Sequence, residues 1–311
     1  MSKRATREAL GDEVLKLGKE KREIYIVDCD VSKSCKTQAF AAAFPDRHIN
    51  VGISEQNAVG VAAGLAASGK LPMVVTYAVF GSMRALEQIR QEVCYPELNV
   101  KILCSHGGLT PANDGASHQC VEDMGILRTI PGMTVIMPAD YQSARCLIRA
   151  AAEYKGAVYL RFTRDAVEDI YGKDDTFVIG KAKCLAQGKD LTVFANGDTV
   201  SIAMKAVKVL KEEGINAALY DMHTVKPLDE ETVRQAILKS GRIITVEDHN
   251  VINGLGSAVC EVAAEMGKGM VKRIGVKDHF GESAPYEELL RKNGITWEHI
   301  CSEAHCLMEN E

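Results

Sequence analysis

The stretch MVVTYAVFGSMRALEQIRQEVCYPELNVKILCSH, residues 73–106, contains two short apolar runs separated by one helix-like segment. The runs at 73–78 and 100–106 are rich in Val, Ile and Leu, and residues 81–94 between them have a helical pattern. An apolar run without polar alternation is typical of a strand that is covered on both faces. The stretch therefore predicts a strand–helix–strand unit within a parallel sheet.

The same alternation extends through the rest of the chain. In the first half, strands are predicted at 23–28, 134–139 and 157–162, and helices at 5–19, 54–68 and 141–154. Residues 167–190 interrupt the pattern with charges and glycines, which indicates a linker. Further strands follow at 191–196, 217–223, 242–248 and 271–276. The predicted fold class is α/β with two domains, each a mostly parallel sheet wrapped by helices: residues 1–186 including the linker, and 187–311.

Composition excludes several classes of protein. The chain has 311 residues, 46% of them hydrophobic, which suffices for two ordinary cores. Its net charge of -5 gives no basic surface for nucleic acid. No apolar stretch approaches the ~18 residues of a membrane span, and no signal peptide opens the sequence. Ten cysteines without a CxxC pair predict reduced thiols, so we expect a cytoplasmic protein that binds neither membranes nor nucleic acid.

Two glycine-containing segments look superficially like nucleotide-binding motifs. GLAASGKL (64–71) has the Gly and Lys spacing of a P-loop but ends in Leu where the Mg²⁺-binding hydroxyl belongs, so we interpret Gly69 as a helix stop. GLGSAV (254–259) follows the third strand of its domain, whereas a dinucleotide-binding fingerprint is expected on the first strand-to-helix turn. It is therefore interpreted as a tight strand-to-helix turn.

Polar residues in two places suggest a functional site. In VGISEQNAVG (51–60), Glu55 lies where an apolar run meets a small-residue helix. The loop CSHGGLTPANDGASHQCVED (104–123) follows a predicted strand and carries His106, Asp114 and His118. Ligands bind at strand ends in open parallel sheets, so these three side chains could converge on one site. The alternative is that the histidines only cap a helix and pair with backbone.

Several segments, in this order, resemble the pyrimidine-binding domain of the transketolase family. They are VGISEQNAVGVAAGLAASG (51–69), VVTYAVFGSMRALEQIRQEV (74–93), SHGGLTPANDGASHQCVED (105–123) and PGMTVIMPAD (131–140). DLTVFANGDTVSIAMKAVKVLKEEGINAALYDMHTVKPLDEE (190–231) resembles that family's C-terminal domain. The resemblance covers essentially the whole chain. The DGASHQ segment is closer to transketolase and deoxyxylulose-phosphate synthase than to the β subunits of 2-oxoacid dehydrogenases.

One expected family motif is absent from the sequence. Family members bind the diphosphate of thiamine diphosphate and its Mg²⁺ through a GDG motif in a separate N-terminal domain, and no GDG occurs in this chain. The resemblance therefore implies the C-terminal subunit of a split transketolase that shares thiamine diphosphate with an N-terminal subunit. The partner subunit would hold Mg²⁺, with no metal site in this chain. We expect a homodimer alone and an α2β2 assembly with the partner.

The resemblance assigns the cofactor site to four residues. Glu55 matches the carboxylate that hydrogen-bonds N1′ of the aminopyrimidine, so that the cofactor's own 4′-amino group can remove its C2 proton. Phe80 matches the aromatic that stacks on this ring, Tyr77 a neighbouring aromatic, and Asp30 a nearby carboxylate. Met83 stands where transketolases commonly have a further aromatic, and its flexible thioether can fill that space.

The substrate residues follow from the same resemblance. His106 and His118 match histidines that face the sugar, where imidazole suits hydroxyl recognition and proton transfer. Asp114 matches a carboxylate that contacts a substrate hydroxyl. These assignments, with Glu55, His106 and His118 as the catalytic set, imply transfer of a two-carbon ketol unit from a ketose to an aldose. Alternatives that remain open are a 2-oxoacid dehydrogenase-type subunit, a deoxyxylulose-phosphate synthase-like subunit, and a catalytically silent scaffold.

A clamp for the phosphate of a sugar phosphate is the last implied site. The resemblance places Arg4, Ser34 and Arg161 there, with Arg164 as an alternate for Arg161. Guanidinium groups and a hydroxyl have the hydrogen-bond donors that a phosphate requires.

Overall fold

A computed structural model describes residues 3–309, and within them the chain forms an α/β fold. The strands are β1 (Lys3–Arg4), β2 (Ile24–Asp28), β3 (His48–Asn50), β4 (Leu71–Tyr77), β5 (Lys101–Ser105), β6 (Thr134–Ile136), β7 (Val158–Arg161), β8 (Val167–Glu168), β9 (Lys183–Ala186), β10 (Leu191–Ala195), β11 (Ala217–Asp221), β12 (Thr224–Lys226), β13 (Arg242–Asn250) and β14 (Met270–Val276). The helices are α1 (Thr6–Glu20), α2 (Gln38–Ala43), α3 (Glu55–Ala67), α4 (Leu86–Gln88), α5 (Asp123–Arg128), α6 (Tyr141–Glu153), α7 (Thr199–Glu212), α8 (Glu230–Lys239), α9 (Leu255–Met266), α10 (Tyr286–Lys292) and α11 (Trp297–Glu309).

The first domain is built on a seven-stranded sheet in the order β12-β6-β7-β5-β4-β2-β3. Six of these strands are parallel, and β12, which comes from the second half of the chain, pairs antiparallel with β6. Strands β4 and β5 pair in parallel from Met73–Lys101 to Tyr77–Ser105, which confirms the unit predicted from residues 73–106. The helical segment between them has wide turns at Phe80–Arg84 and Ile89–Cys94.

The second domain contains a five-stranded sheet in the order β14-β13-β10-β11-β9. All its pairs are parallel except that of β11 with β9. The domain boundary was predicted after residue 186, at the end of β9. Because β9 pairs with β11 in the second sheet, that sheet includes residues before 187. The turn between β13 and α9 spans residues 251–254, so of the predicted turn at 254–259 only Gly254 precedes the helix and residues 255–259 belong to it. Gly69 follows the end of α3 with a φ of +79°, consistent with the predicted helix stop.

Apolar side chains cover both faces of the first sheet. One cluster packs α3 and the segment 80–94 against it, and a second packs α1, α2 and α6 against the opposite face. This double coverage explains why the strands lack polar alternation. None of the cysteines among residues 3–309 forms a disulfide. Within residues 3–309, no helix is long and apolar enough to cross a membrane.

Candidate active site

The candidate residues lie at one edge of the first sheet, where the parallel strands end. Tyr77 is the last residue of β4, His106 follows β5, and Asp30 lies just after β2. Glu55 opens α3, a few residues after β3. Because carboxyl ends of parallel strands share one edge, the fold brings together residues that are far apart in the sequence.

Glu55 is a buried carboxylate with one strong partner. Its side chain is 2% exposed, and its Oε2 accepts a hydrogen bond from Arg84 Nη1 at 2.9 Å. The hydroxyl of Thr76 lies 3.5 Å from Oε1, which is too long for a strong bond. A buried carboxylate is costly unless it is paired. The ion pair with Arg84 therefore accounts for how the chain by itself accommodates Glu55.

Four rings form a continuous wall, and Arg84 connects one of them, Phe80, to Glu55. Tyr77 stacks on His106 with ring centroids 3.9 Å apart and lies 6.1 Å from Phe80. The ring of His118 is 5.9 Å from Phe80 and 6.1 Å from Tyr77. The structure thus brings His118, from the loop 104–123, next to Tyr77 at the end of β4 and Phe80 just after it.

His106 is held in place and kept neutral. Its Nδ1 lies 2.7 Å from the hydroxyl of Ser105, which in turn lies 3.1 Å from the thiol of Cys35. Burial, followed by the nearby guanidinium groups of Arg7 and Arg164, lowers the pKa of His106 to about 3. With Nδ1 engaged by Ser105, Nε2 is the nitrogen available to a substrate oxygen. A neutral imidazole suits that contact throughout the physiological pH range.

Two arginines border this histidine, and only one of them was singled out from the sequence. Arg7, in the first turn of α1, donates to the backbone oxygen of Ser34 at 3.1 Å. Burial and then the neighbouring Arg164 lower the pKa of Arg7. Arg164 in turn lies 3.4 Å from Asp114. Two cations close enough to perturb each other provide a natural position for an anion.

Two of the four predicted clamp residues lie away from His106, Arg7 and Arg164. Arg161 is fully buried: its Nη2 donates to the backbone oxygen of Asp248 at 2.6 Å, and its Nε lies 3.5 Å from Asp123. A guanidinium enclosed between the domains cannot reach a substrate phosphate, which leaves its alternate, Arg164, at the site. Arg4 packs 3.5 Å over the ring of Tyr141 and pairs with Asp169.

Near the N-terminus, Arg7 rather than Arg4 lies beside His106. The topology offered a signal for it. Helix α1 precedes β2 and runs against it, so the first turn of α1 lies at the carboxyl edge of the sheet. Arg84 was missed for another reason. Its role depends on side-chain contacts with Glu55 and Phe80, which residue spacing alone does not reveal.

Asp30 and Met83 lie at the margin of the group. Asp30 is exposed, has a φ of 65°, and accepts a hydrogen bond from Asn50 Nδ2 at 3.1 Å. Met83 is exposed beside Arg84 on the segment that follows Phe80. Among residues 3–309, no cluster of three or more His, Cys, Asp or Glu side chains could hold a metal ion.

The residues at this sheet edge could hold the aminopyrimidine ring of a cofactor. A buried carboxylate (Glu55) can pair with a protonated ring nitrogen, and the guanidinium of Arg84 lies 4.4 Å from the centroid of the Phe80 ring. A planar cationic group is therefore accommodated between an acid and an aromatic face. Arg7 and Arg164 can hold the anionic end of a substrate beside His106.

Comparison with known proteins gives a consistent match along the chain. The model of the transketolase pyrimidine binding domain matches residues 2–169, and that of the transketolase C-terminal domain matches residues 180–300. The chain is 40% identical to one subunit of the apulose-4-phosphate transketolase of Phocaeicola vulgatus, over 96% of each protein. It is 37% identical to a 6-deoxy-6-sulfo-D-fructose transketolase subunit of a Clostridium species, over 98% of this chain and 95% of the relative.

Among solved structures, a split gene transketolase, described as an inactive beta4 tetramer, superposes with a TM-score of 0.90. It is 43% identical and covers 98% of each chain. The matches cover at least 95% of this chain and at least 95% of each of these relatives.

Proposed function

Since this chain belongs to the transketolase family and spans its pyrimidine-binding and C-terminal domains, we propose that it is the C-terminal subunit of a split, thiamine diphosphate-dependent transketolase. It would transfer a two-carbon ketol unit from a ketose to an aldose together with a separate N-terminal subunit. The observation that carries the proposal is that buried Glu55 and the ring of Phe80, both in contact with Arg84, lie at the same sheet edge as His106 and His118.

Each residue has a defined task in this reaction. Thiamine diphosphate, when bound, supplies the carbon nucleophile that cleaves and forms the carbon–carbon bond. Glu55 holds a proton at N1′ of its pyrimidine, and Phe80 and Tyr77 orient that ring. Neutral His106 donates from Nε2 to a substrate oxygen, and His118 shuttles a proton at a second oxygen. Asp114 and Asp30 at the margin bind hydroxyl groups and polar atoms of the ligands.

The substrate would carry an anionic end. Arg7 and Arg164 lie close enough to perturb each other, and Ser34 is beside Arg7. Two guanidinium groups satisfy the oxygens of a tetrahedral anion such as a phosphate or a sulfonate. The relatives named above act on a sugar phosphate and a sulfosugar, both of which bear such a group. We therefore propose an anionic ketose donor, with phosphate as the first choice.

A partner subunit would complete the site. Close to Glu55, the side chain of Ile53 is 74% exposed, and Met83 is exposed on the neighbouring segment. Exposed apolar residues at a ligand site are typical of a surface that another subunit covers. The diphosphate and Mg²⁺ would then be held by the N-terminal subunit, in an α2β2 assembly. Without it, a homo-oligomer of this chain would lack turnover.

Reconstitution tests the proposal. The purified chain alone should give no ketose turnover and should bind thiamine diphosphate weakly. Addition of the cognate N-terminal subunit, identified by co-purification, should restore transfer from a ketose phosphate to an aldose phosphate. Full activity of the single chain would refute the split-subunit proposal. Condensation of pyruvate with glyceraldehyde phosphate by the complex would instead assign a deoxyxylulose-phosphate synthase-like reaction.

A further inference from the structure

Arg84 makes two contacts that together define a ligand-shaped position. Its Nη1 donates to Oε2 of Glu55 at 2.9 Å, and its guanidinium carbon lies 4.4 Å above the centroid of the Phe80 ring. Under the proposed function, Glu55 and Phe80 are the two residues that hold the aminopyrimidine of the cofactor. One side chain of the same chain therefore engages both of them at once.

The chemistry of the two groups is alike. A guanidinium is a planar cation whose N–H groups pair with a carboxylate while its face stacks on an aromatic ring. An aminopyrimidine that is protonated at N1′ presents the same features: a flat ring, a cationic edge, and adjacent N–H donors. A pocket that fits one fits the other, and the acid and the aromatic face cannot accept both together.

We propose that Arg84 is a stand-in for the aminopyrimidine, which it replaces on Glu55 and Phe80 until the cofactor displaces it. The proposal rests on the proposed function for the identity of the ligand. It adds that cofactor binding to this subunit is an exchange of one planar cation for another.

Burial and exposure make the exchange feasible. The Glu55 side chain is 2% exposed, so it would be an uncompensated buried charge if no cation faced it. The Arg84 side chain is 47% exposed, so its guanidinium can turn into water when it is displaced. The stand-in thus keeps the buried acid paired in the empty subunit and leaves at little cost. The wide turn at Phe80–Arg84 places both ends of the contact on one turn of the chain.

The exchange should weaken cofactor binding by a measurable factor. A ligand that binds only the displaced state has its dissociation constant raised by the inverse of the fraction of molecules in that state. An ion pair of this kind combined with a cation–π contact favours the occupied state by roughly tenfold. Removal of the Arg84 guanidinium should therefore tighten binding of the pyrimidine ring about five- to tenfold.

The test uses the purified full chain and the probe 4-amino-5-hydroxymethyl-2-methylpyrimidine, which can be protonated at N1′ against Glu55. This compound is the pyrimidine of the cofactor without its thiazolium or diphosphate, so it needs no partner subunit. Calorimetry would compare wild type with Arg84→Gln and with Arg90→Gln, which removes an exposed arginine from the same helical segment. We expect Arg84→Gln to bind the probe about five- to tenfold more tightly and Arg90→Gln to match wild type.

The same measurement in a Glu55→Gln variant shows whether the gain in probe affinity depends on Glu55. In Glu55→Gln, no carboxylate holds the guanidinium, so adding Arg84→Gln should change probe affinity less than about twofold. Overturning results are a missing gain in Arg84→Gln, including undetectable binding by both proteins, or an equal gain in both backgrounds. Failure of the reconstituted complex to turn over a ketose would instead refute the proposed function, so the two failures are distinguishable.

Discussion

Replacement of Glu55 by Gln separates a catalytic from a structural role for this residue. The amide keeps the size and reach of the side chain but cannot hold an exchangeable proton against N1′. Only one partner of Glu55, Arg84, is bound at a short distance, and that partner is half exposed. When the carboxylate is removed, Arg84 can regain water, so we expect a loss of about 1 kcal/mol or less in the free energy of unfolding.

The catalytic loss should be much larger. A positioned acid–base group contributes at least ~10²-fold to rate, which corresponds to about 2.7 kcal/mol. The assay is the rate at which the C2 proton of thiamine diphosphate exchanges for deuterium in the reconstituted complex, followed by quench and NMR. That rate should fall by at least ~10²-fold in Glu55→Gln.

The matched control is His106→Ala. It should impair sugar turnover while leaving C2 exchange largely intact, because His106 is assigned to the substrate and not to the pyrimidine. The reasoning is refuted if Glu55→Gln exchanges C2 at the wild-type rate, since Glu55 would then be only the first residue of a helix. A collapse of exchange in His106→Ala would equally contradict the division of roles.

Two further predictions concern the proposed anion-binding role of Arg7 and the buried carboxyl group of Glu247. Arg7→Gln should raise the KM for a phosphorylated ketose by about 10- to 100-fold, with little change in the KM for an unphosphorylated ketose. The Arg4 guanidinium lies on the Tyr141 ring, so Arg4→Gln should change either KM less than about twofold. Equal effects of the two variants would contradict the assignment. Burial raises the pKa of Glu247 to about 7, so between about pH 4.5 and pH 7 the folded state binds this proton more tightly than the unfolded state. The free energy of unfolding therefore falls as pH rises through this range. Chemical denaturation should show that the free energy of unfolding of the wild type decreases from pH 5 to pH 8, and that this decrease is smaller in Glu247→Gln by up to about 3 kcal/mol. Parallel plots of unfolding free energy against pH for the two proteins would disprove the prediction.

The fold was accessible from the sequence because its signals are local. Apolar runs at 73–78 and 100–106 and the helical pattern between them correspond to β4, β5 and the segment 80–94. The antiparallel additions were not accessible. Strand β12 completes the first sheet from the second half of the chain, and β9 lies inside the predicted linker. Both are short and owe their pairing to neighbours that are distant in sequence.

The roles of individual residues in the site were accessible only in part. His106, His118 and Asp114 were identified by their loop, and the structure places both histidines on one aromatic wall with Tyr77. Arg161 shows where such reasoning fails. Its residue type suits a phosphate, but its side chain is enclosed by Asp123 and Asp248 between the domains.

By itself, the sequence determined the α/β class, the parallel sheet, the family resemblance and the sheet edge at which the candidate residues lie. Hydrophobic periodicity and motif order are properties of neighbouring residues, and they survive without coordinates. Only the tertiary structure decided which arginines lie beside His106. Arg4, Arg7, Arg161 and Arg164 are chemically identical, and burial and partners distinguish them. The pairing of Arg84 with Glu55 belongs to the same class, because side chains 29 residues apart meet only once the sheet has formed.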